Sequence, residues 1–270
     1  MKVRMTRAMS EKGSKVKLQH VHKLDAEQPM VELQVNMSNA LTRSAHGLSL
    51  AEKRIVAACI AKTDQMPNMT HVRERGAWSV RLSAADYADT FNVDMNTAYE
   101  QLQDASENLF NRYIRTTRKT RKGVEEYKFR WIGSARYHKG EGWVELDWWH
   151  EVVPHLFGLR REFTSYKLKQ ASALRSSYSW RLFEVFQSWQ DTGKYQPTIE
   201  DFCTAMDVPE SYRKDFKSIR TRVIEPAVDE LIQKNNMLIK WDTVRAGRKV
   251  IGLEFKFSSN PQQRLAVDPE

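Results

Sequence analysis

Cysteine is scarce: Cys59 and Cys203 are the two in 270 residues. That excludes a disulfide framework and a four-thiolate zinc site, and the expectation is two buried thiols in a reducing cytoplasm. Long hydrophobic runs are missing as well. No stretch reaches the roughly 18 uncharged apolar residues of a membrane span, and no apolar segment follows the basic start as a secretory signal requires. A cytoplasmic protein with no membrane partner is expected. Eleven Gly and eight Pro are too few for a collagen-like or linker composition. No G-x-x-x-x-G-K-S/T segment occurs, which removes the phosphate-cradling loop of one large ATPase class. Negative charge is short too. Against 43 Lys and Arg stand 34 Asp and Glu, a net +9, which favours a polyanionic partner.

What is present is material for a core. Hydrophobic residues make up 41 % and aromatics 10 %, eight of them Trp. At 270 residues the chain suits one large domain or two of moderate size. The positive charge is clustered. Residues 1–23 carry Lys2, Arg4, Arg7, Lys12, Lys15, Lys17 and Lys23 against Glu11 alone, with little apolar periodicity, and read as a basic flexible tail over 1–34. Residues 111–123 hold six Lys and Arg and no acid. Residues 211–222 hold five and one acid, whereas 223–231 hold Glu225, Asp229 and Glu230 and no base. A helix basic at its start and acidic further along suits insertion of its N-terminal end into a DNA groove.

The sequence repeats itself. Residues 83–93 (SAADYADTFNV) match residues 198–208 (TIEDFCTAMDV) at an offset of 115. In each, Ser or Thr opens as an N-cap with Asp three residues on, a shortened capping box, and a turn follows. A longer helix comes next in each copy. Asp94 caps the first, where Met95, Ala98, Leu102, Ala105 and Leu109 recur at helical spacing. Asp215 caps the second, with Phe216, Ile219, Val223, Ala227 and Leu231. Pro226 inside it removes a backbone hydrogen bond and predicts a kink. Short helix, turn, long helix is the helix-turn-helix arrangement.

Strand-forming segments close both units. Residues 124–132 read as a strand behind a basic hairpin tip at 118–123, and 143–149 as the last strand of the first unit. In the second, 237–244 and 250–257 flank Arg245-Ala246-Gly247-Arg248-Lys249. A cationic hairpin beside a helix-turn-helix is the composition of a winged helix. The expected fold is α+β, two tandem winged-helix domains: 35–149 and 150–258, with a C-terminal tail at 259–270. After the join, near 147–161, Ala171, Leu174, Tyr178, Leu182, Val185 and Trp189 predict a helix of about five turns with a core-facing aromatic stripe.

By these residues the chain resembles a family. Ser177-Tyr178-Ser179-Trp180-Arg181-Leu182-Phe183-Glu184 resembles the S-x-Y-S-x-R-L-Y-E segment of iteron-binding initiators of theta-replicating plasmids. Residues 222–231 (RVIEPAVDEL) are similar to their R-V-I-x-P-A-x-x-E-I segment, with Leu231 for Ile and Phe183 for Tyr as departures. Asn39-Ala40-Leu41 and then Leu48-Ser49-Leu50-Ala51-Glu52-Lys53-Arg54 look like that family's opening helices. The resemblance spans about residues 35–257 and its three segments fall in family order. It implies binding of repeated origin sequences (iterons) as a monomer, repression of its own promoter as a homodimer through the first unit, and partnership with host replication initiation factors and chaperones. It also implies base reading mainly by the second long helix.

The residues agree with that division. The outer face of 94–110 carries Glu100, Asp104 and Glu107 and no base, so Asn96, Thr97 and the hairpin cations Arg118, Lys119, Arg121 and Lys122 are the expected contacts there. On the second helix, Lys214, Ser218, Thr221 and Arg222 fall away from the apolar stripe, Lys217 at its border and Arg220 beside it. With Arg213 and the hairpin residues Arg245, Arg248 and Lys249 they complete the expected DNA-binding set. No cofactor, metal or catalytic residue is expected. Two alternatives remain: a transcriptional repressor with no replication role, which shares the same physics, and a nickase. The latter rests on His20-Val21-His22, a His-apolar-His pair able to share a divalent ion, set in a Lys-rich segment without a strand pattern.

Overall fold

A computed structural model describes residues 28–64, 78–157, 159 and 161–259. A 3-10 turn, Met30–Glu32, leads into β1 (Gln34–Ser38) and α1 (Asn39–Arg43), where the Ser38 hydroxyl accepts from the Leu41 amide. The last part of the expected tail is therefore docked. Leu33 is buried, and Glu32 pairs with both Lys167 and Lys169 at 2.9 Å. The remainder, 1–27, lies outside the described residues. The first long helix, α2 (Leu50–Asp64), opens with a capping box in which the Ser49 amide donates to Glu52 and the Glu52 amide to Ser49.

Next come β2 (Trp78–Ser83), α3 (Ala84–Phe91) and α4 (Met95–Asn108), the first helix-turn-helix. After them run β3 (Tyr113–Thr120), β4 (Gly123–Arg130), β5 (Ile132–His138) and β6 (Trp143–Trp148). The winged-helix sheet has the order β2-β6-β5. Its inner side chains Val80, Leu82, Ile132, Val144 and Leu146 are buried with Tyr87, Phe91, Ala98 and Leu102 of the two helices. This corrects the expected strand layout. The basic hairpin β3-β4 is a separate two-stranded ribbon inserted before the sheet's own hairpin, β5-β6. The single strand read over 124–132 breaks at Trp131, whose ring is buried and whose carbonyl takes the Trp149 amide. Burial of that one indole, rather than any turn-forming residue, ends the ribbon.

The connection is α5 (Val153–Leu156), β7 (Phe163–Lys167), α6 (Lys169–Ser172) and α7 (Ser177–Gln187). β7 pairs antiparallel with β1 from the start of the chain, so residues beyond 149 fold back on the first unit. The expected five-turn helix is two helices. Ser176 leaves the helical region and caps α7 by accepting from the Tyr178 amide, and the freed Leu174 carbonyl accepts from Arg54. Every residue from Ser179 to Phe186 is buried, so α7 is packed on all sides.

The second unit is β8 (Lys194–Tyr195), α8 (Ile199–Ala205), α9 (Glu210–Arg213), α10 (Phe216–Ile219), a π-helical turn at Arg220–Ile224, α11 (Glu225–Asn235), β9 (Met237–Ala246) and β10 (Lys249–Ser259). Its sheet has the order β8-β10-β9. The duplication extends to single hydrogen bonds. Ser83 accepts from the Asp86 amide and Thr198 from the Asp201 amide, both at 3.1 Å. Asn92 and Asp207, also offset by 115, both turn left-handed, with φ 48° and 53°. The next amides, of Val93 and Val208, reach back to the Ala88 and Cys203 carbonyls. Asn and Asp tolerate that conformation best among residues with a Cβ. Two winged helices in tandem are the architecture.

Candidate nucleic-acid interface

Asp215 opens the second recognition helix, its carboxylate accepting from the Ser218 amide at 2.8 Å and the Ser218 hydroxyl at 2.9 Å. The helix is not uniform. Pro226 has no N–H, and in a regular α-helix its ring would press on the carbonyl four residues back, that of Arg222. The backbone widens instead, the Glu225 amide bonding to the Arg220 carbonyl five residues away. Arg220, Thr221 and Arg222 lie in this widened turn and are exposed, while Val223 and Ile224 behind them are buried. The extra residue in the turn shifts the helical phase. Arg220, expected beside the apolar stripe, points to solvent and pairs with Glu225 at 2.7 Å.

The other expected residues divide. Lys214 and Lys217 are exposed. Arg222 lies over the Tyr212 ring at 4.8 Å, a stacked position that limits its rotamers. The Thr221 hydroxyl donates to the Lys217 carbonyl. Arg213 is a strut: it donates to the carbonyls of Val208 (2.8 Å) and Cys203 (3.3 Å) and so holds the turn between the helices. In the hairpin, Gly247 and Arg248 are the central pair. Gly247 takes φ 60° at the first of these positions, as a II′ turn demands, and Arg245, Arg248 and Lys249 are exposed around it.

In the first unit Asp94 caps α4 through the Thr97 amide and hydroxyl, at 2.9 and 2.6 Å, so the Thr97 side chain is tied down while Asn96 is exposed. Glu100, Asp104 and Glu107 are exposed along α4. The sheet's own hairpin turn sits against that helix. Gly142, with φ 63°, leaves no room for a Cβ, which would collide with the Tyr99 ring. On the ribbon, Arg121 and Lys122 are the exposed turn residues, and Arg118 and Lys119 lie on β3 opposite Glu125 and Val124. Arg115 and Lys128 pair on the ribbon nearer its base, both exposed. This ribbon is the cationic element of the first unit.

Sequence reasoning missed the junction between the units. Two of the three segments that carry the family resemblance, 48–54 and 177–184, meet there. Lys53 of α2 donates to Glu184 of α7 at 2.7 Å, and both are buried. The Tyr166 hydroxyl donates to the other Glu184 oxygen at 2.7 Å and receives the Trp180 indole N–H at 3.0 Å. Burial beside that carboxylate holds the Tyr166 hydroxyl well above its ordinary pKa, so it remains a donor. Arg181 donates to the carbonyls of Ala205 and Ser44 and to His46 Nδ1. Since the Leu41 carbonyl can only accept, His46 carries its proton on Nε2 and leaves Nδ1 to the guanidinium. Burial, then the nearby Arg181 and Lys53 charges, push the His46 pKa well below its usual value. Asp207, in the second helix-turn-helix, accepts the amides of His46 (2.7 Å) and Gly47 (2.5 Å) from the first unit. The sequence signal was a run of charged residues, Glu52-Lys53-Arg54, directly before the apolar stretch 55–61 of the same helix.

Cys59 and Cys203 are free and buried, and burial pushes the Cys59 thiol up to about 12. Among the described residues no cluster of three metal-ligating side chains occurs, and His20-Val21-His22 lies outside them. No described helix is long and apolar enough to cross a membrane.

Against known families, residues 34–187 match "Initiator Replication protein, WH1" and residues 198–257 match "Initiator Rep protein, WH2". Two Escherichia coli proteins are similar. An "Uncharacterized 27.6 kDa protein" is 24 % identical over 222 residues, 80 % of this chain and 92 % of that one. A "Replication initiation protein" is 25 % identical over 246 residues, 89 % and 74 % of the two chains. Among solved structures, the Pi initiator protein in complex with iteron DNA superposes with a TM-score of 0.67 at 19 % identity, covering 85 % of this chain and 98 % of that one. That likeness establishes the shared fold.

Proposed function

This chain belongs to the initiator replication protein family of paired WH1 and WH2 domains, and from that premise we propose that it binds repeated origin sequences on plasmid DNA and starts replication there. The second unit reads bases and the first holds the backbone. One observation carries this: two recognition helices stand on one body with opposite charge. The second presents Lys217, Thr221 and Arg222, with Lys214 just before its cap. The first presents Glu100, Asp104 and Glu107, which phosphates repel, beside a cationic ribbon that suits phosphate contact. The similar Pi protein was solved with iteron DNA.

The finer reading follows the same physics. Arg222 and Thr221 face base edges, while Arg245, Arg248, Lys249, Arg121 and Lys122 meet phosphates, with Arg118 and Lys119 beside them. A monomer occupies each iteron, and a homodimer formed through the first unit represses the gene's own promoter. Host initiation factors and chaperones complete origin opening in the cytoplasm. The protein binds DNA and breaks no strand of it. The test is a plasmid carrying this gene and its flanking repeats, intact or with a frameshift at Ser83. Replication of the intact plasmid alone supports the reading. Equal replication of both makes the protein a repressor without a replication role. Sedimentation with and without iteron duplex checks the change of mass per binding site.

A further inference from the structure

Between the two winged helices lies a cleft of about 520 Å³. Its first-unit wall is Gly47–Ser49 at the start of α2, with Arg112 and Arg115 where the ribbon begins. Its other wall is Ser177 and Tyr178 at the start of α7 in the connection, with the 206–210 turn of the helix-turn-helix and Arg213 from the second unit. Guanidinium groups outnumber carboxylates along it: Arg112, Arg115, Arg181 and Arg213 against Asp207 and Glu210. Those charges are not equally free. Arg112 is held by Glu52 at 3.0 Å, Arg181 by buried carbonyls, and Arg213 by carbonyls and Glu210. Asp207 is occupied by two amides. Arg115 is exposed, and among the described residues no carboxylate pairs with it. Its backbone is engaged with Ala45.

The ligand follows from the position of this cation. A duplex that meets both recognition helices must pass over the junction of the two units. Between two major-groove contacts on one face, the sugar-phosphate backbone of the intervening minor groove is what turns toward the protein. We propose that the cleft receives a backbone phosphate of that intervening segment, with Arg115 as its principal contact and the Ser177 and Tyr178 hydroxyls as further donors. The contact rests on the DNA-binding reading above and adds a third point of attachment, made by the junction rather than by either unit alone. Tyr178 suits the role because burial raises the pKa of its hydroxyl, which keeps the proton it would donate. A free phosphate or pyrophosphate shares this chemistry, and the test separates the two sources.

The experiment is a salt titration of the full chain on an iteron duplex, read by fluorescence anisotropy, for the wild type, Arg115→Gln, Arg115→Lys and Arg136→Gln. Arg136 pairs with Glu145 and Asp147 on the β2-β6-β5 sheet, away from the cleft, and serves as the control. Removing a single phosphate interaction flattens the slope of log affinity against log salt by about 0.9. Arg115→Gln should show that change at an unaltered unfolding midpoint, Arg115→Lys should restore most of it, and Arg136→Gln should not show it. A single methylphosphonate placed in the segment between the two protected major grooves should weaken the wild type and leave Arg115→Gln unaffected. An unchanged slope, or losses that simply add at every step, overturns the proposal while iteron preference persists. Calorimetry with inorganic pyrophosphate is the second arm. Heat that depends on Arg115, with equal DNA slopes, makes the cleft a small-anion site and also overturns it. If instead the wild type does not distinguish iteron from random duplex, the broader reading fails, a different outcome.

Discussion

Arg213 and Arg222 come from the same basic stretch, yet their guanidinium groups have different work. Arg222 is exposed and steered by the Tyr212 ring, whereas Arg213 holds the carbonyls of Cys203 and Val208. A bidentate Arg–guanine contact contributes about 1–3 kcal/mol of discrimination. Arg222→Ala should therefore weaken iteron binding about 10- to 100-fold and leave random-duplex binding nearly intact. Arg213→Ala should lower the unfolding midpoint and weaken both, because two carbonyls lose their donor. Competition titrations against both duplexes, with a melting curve for each variant, check the pair. His46 gives a pH prediction. It is neutral in the fold because burial depresses its pKa, while the unfolded chain binds a proton below about 6.5. Unfolding then takes up a proton, so stability falls as pH drops through 6.5 toward the folded value, by up to about 1.4 kcal/mol per unit for this one group. Denaturant midpoints between pH 7.5 and 5 should decline, and His46→Gln should flatten the decline. A decline that persists undiminished in that variant assigns it to other groups.

At the scale of elements, the π turn is the distinctive device of the second recognition helix. If Pro226 causes it, Pro226→Ala lets the turn close to a regular α-helix. The basic N-terminal half then rotates by about 100° relative to the buried Ala227, Val228 and Leu231 face. Iteron affinity should fall more than tenfold while the unfolding midpoint holds or rises. Unchanged affinity would show that the phase of Arg222 does not matter. The helix-turn-helix pairs were legible because caps and apolar spacing are local features, written twice. The π turn was legible only as a Pro inside a helix. The ribbon was misassigned to the sheet because Trp131, which ends it, reads as one more strand-forming aromatic. The split between α6 and α7 hides behind apolar spacing that continues through Ser176.

On the scale of the whole molecule, what the sequence could not display is the joint. Lys53, Glu184, Arg181, His46 and Asp207 come from distant segments and meet only in the fold. The clamp of Asp207 on the amides at 46 and 47 ties the second helix-turn-helix to the first unit. On the function proposed above, a chain built this way binds one duplex with both units at a set separation. Dimethyl sulfate protection footprinting, which reads guanine N7 in the major groove, of the purified protein on the repeats flanking its gene tests that most directly. The account predicts, in every repeat, two protected major-groove tracts on one face of the duplex, centred about one helical turn of roughly 10 base pairs apart. In Arg222→Ala, protection should weaken over the tract read by the second unit first. Protection of one tract per repeat, or equal protection of repeat and random sequence, would contradict it.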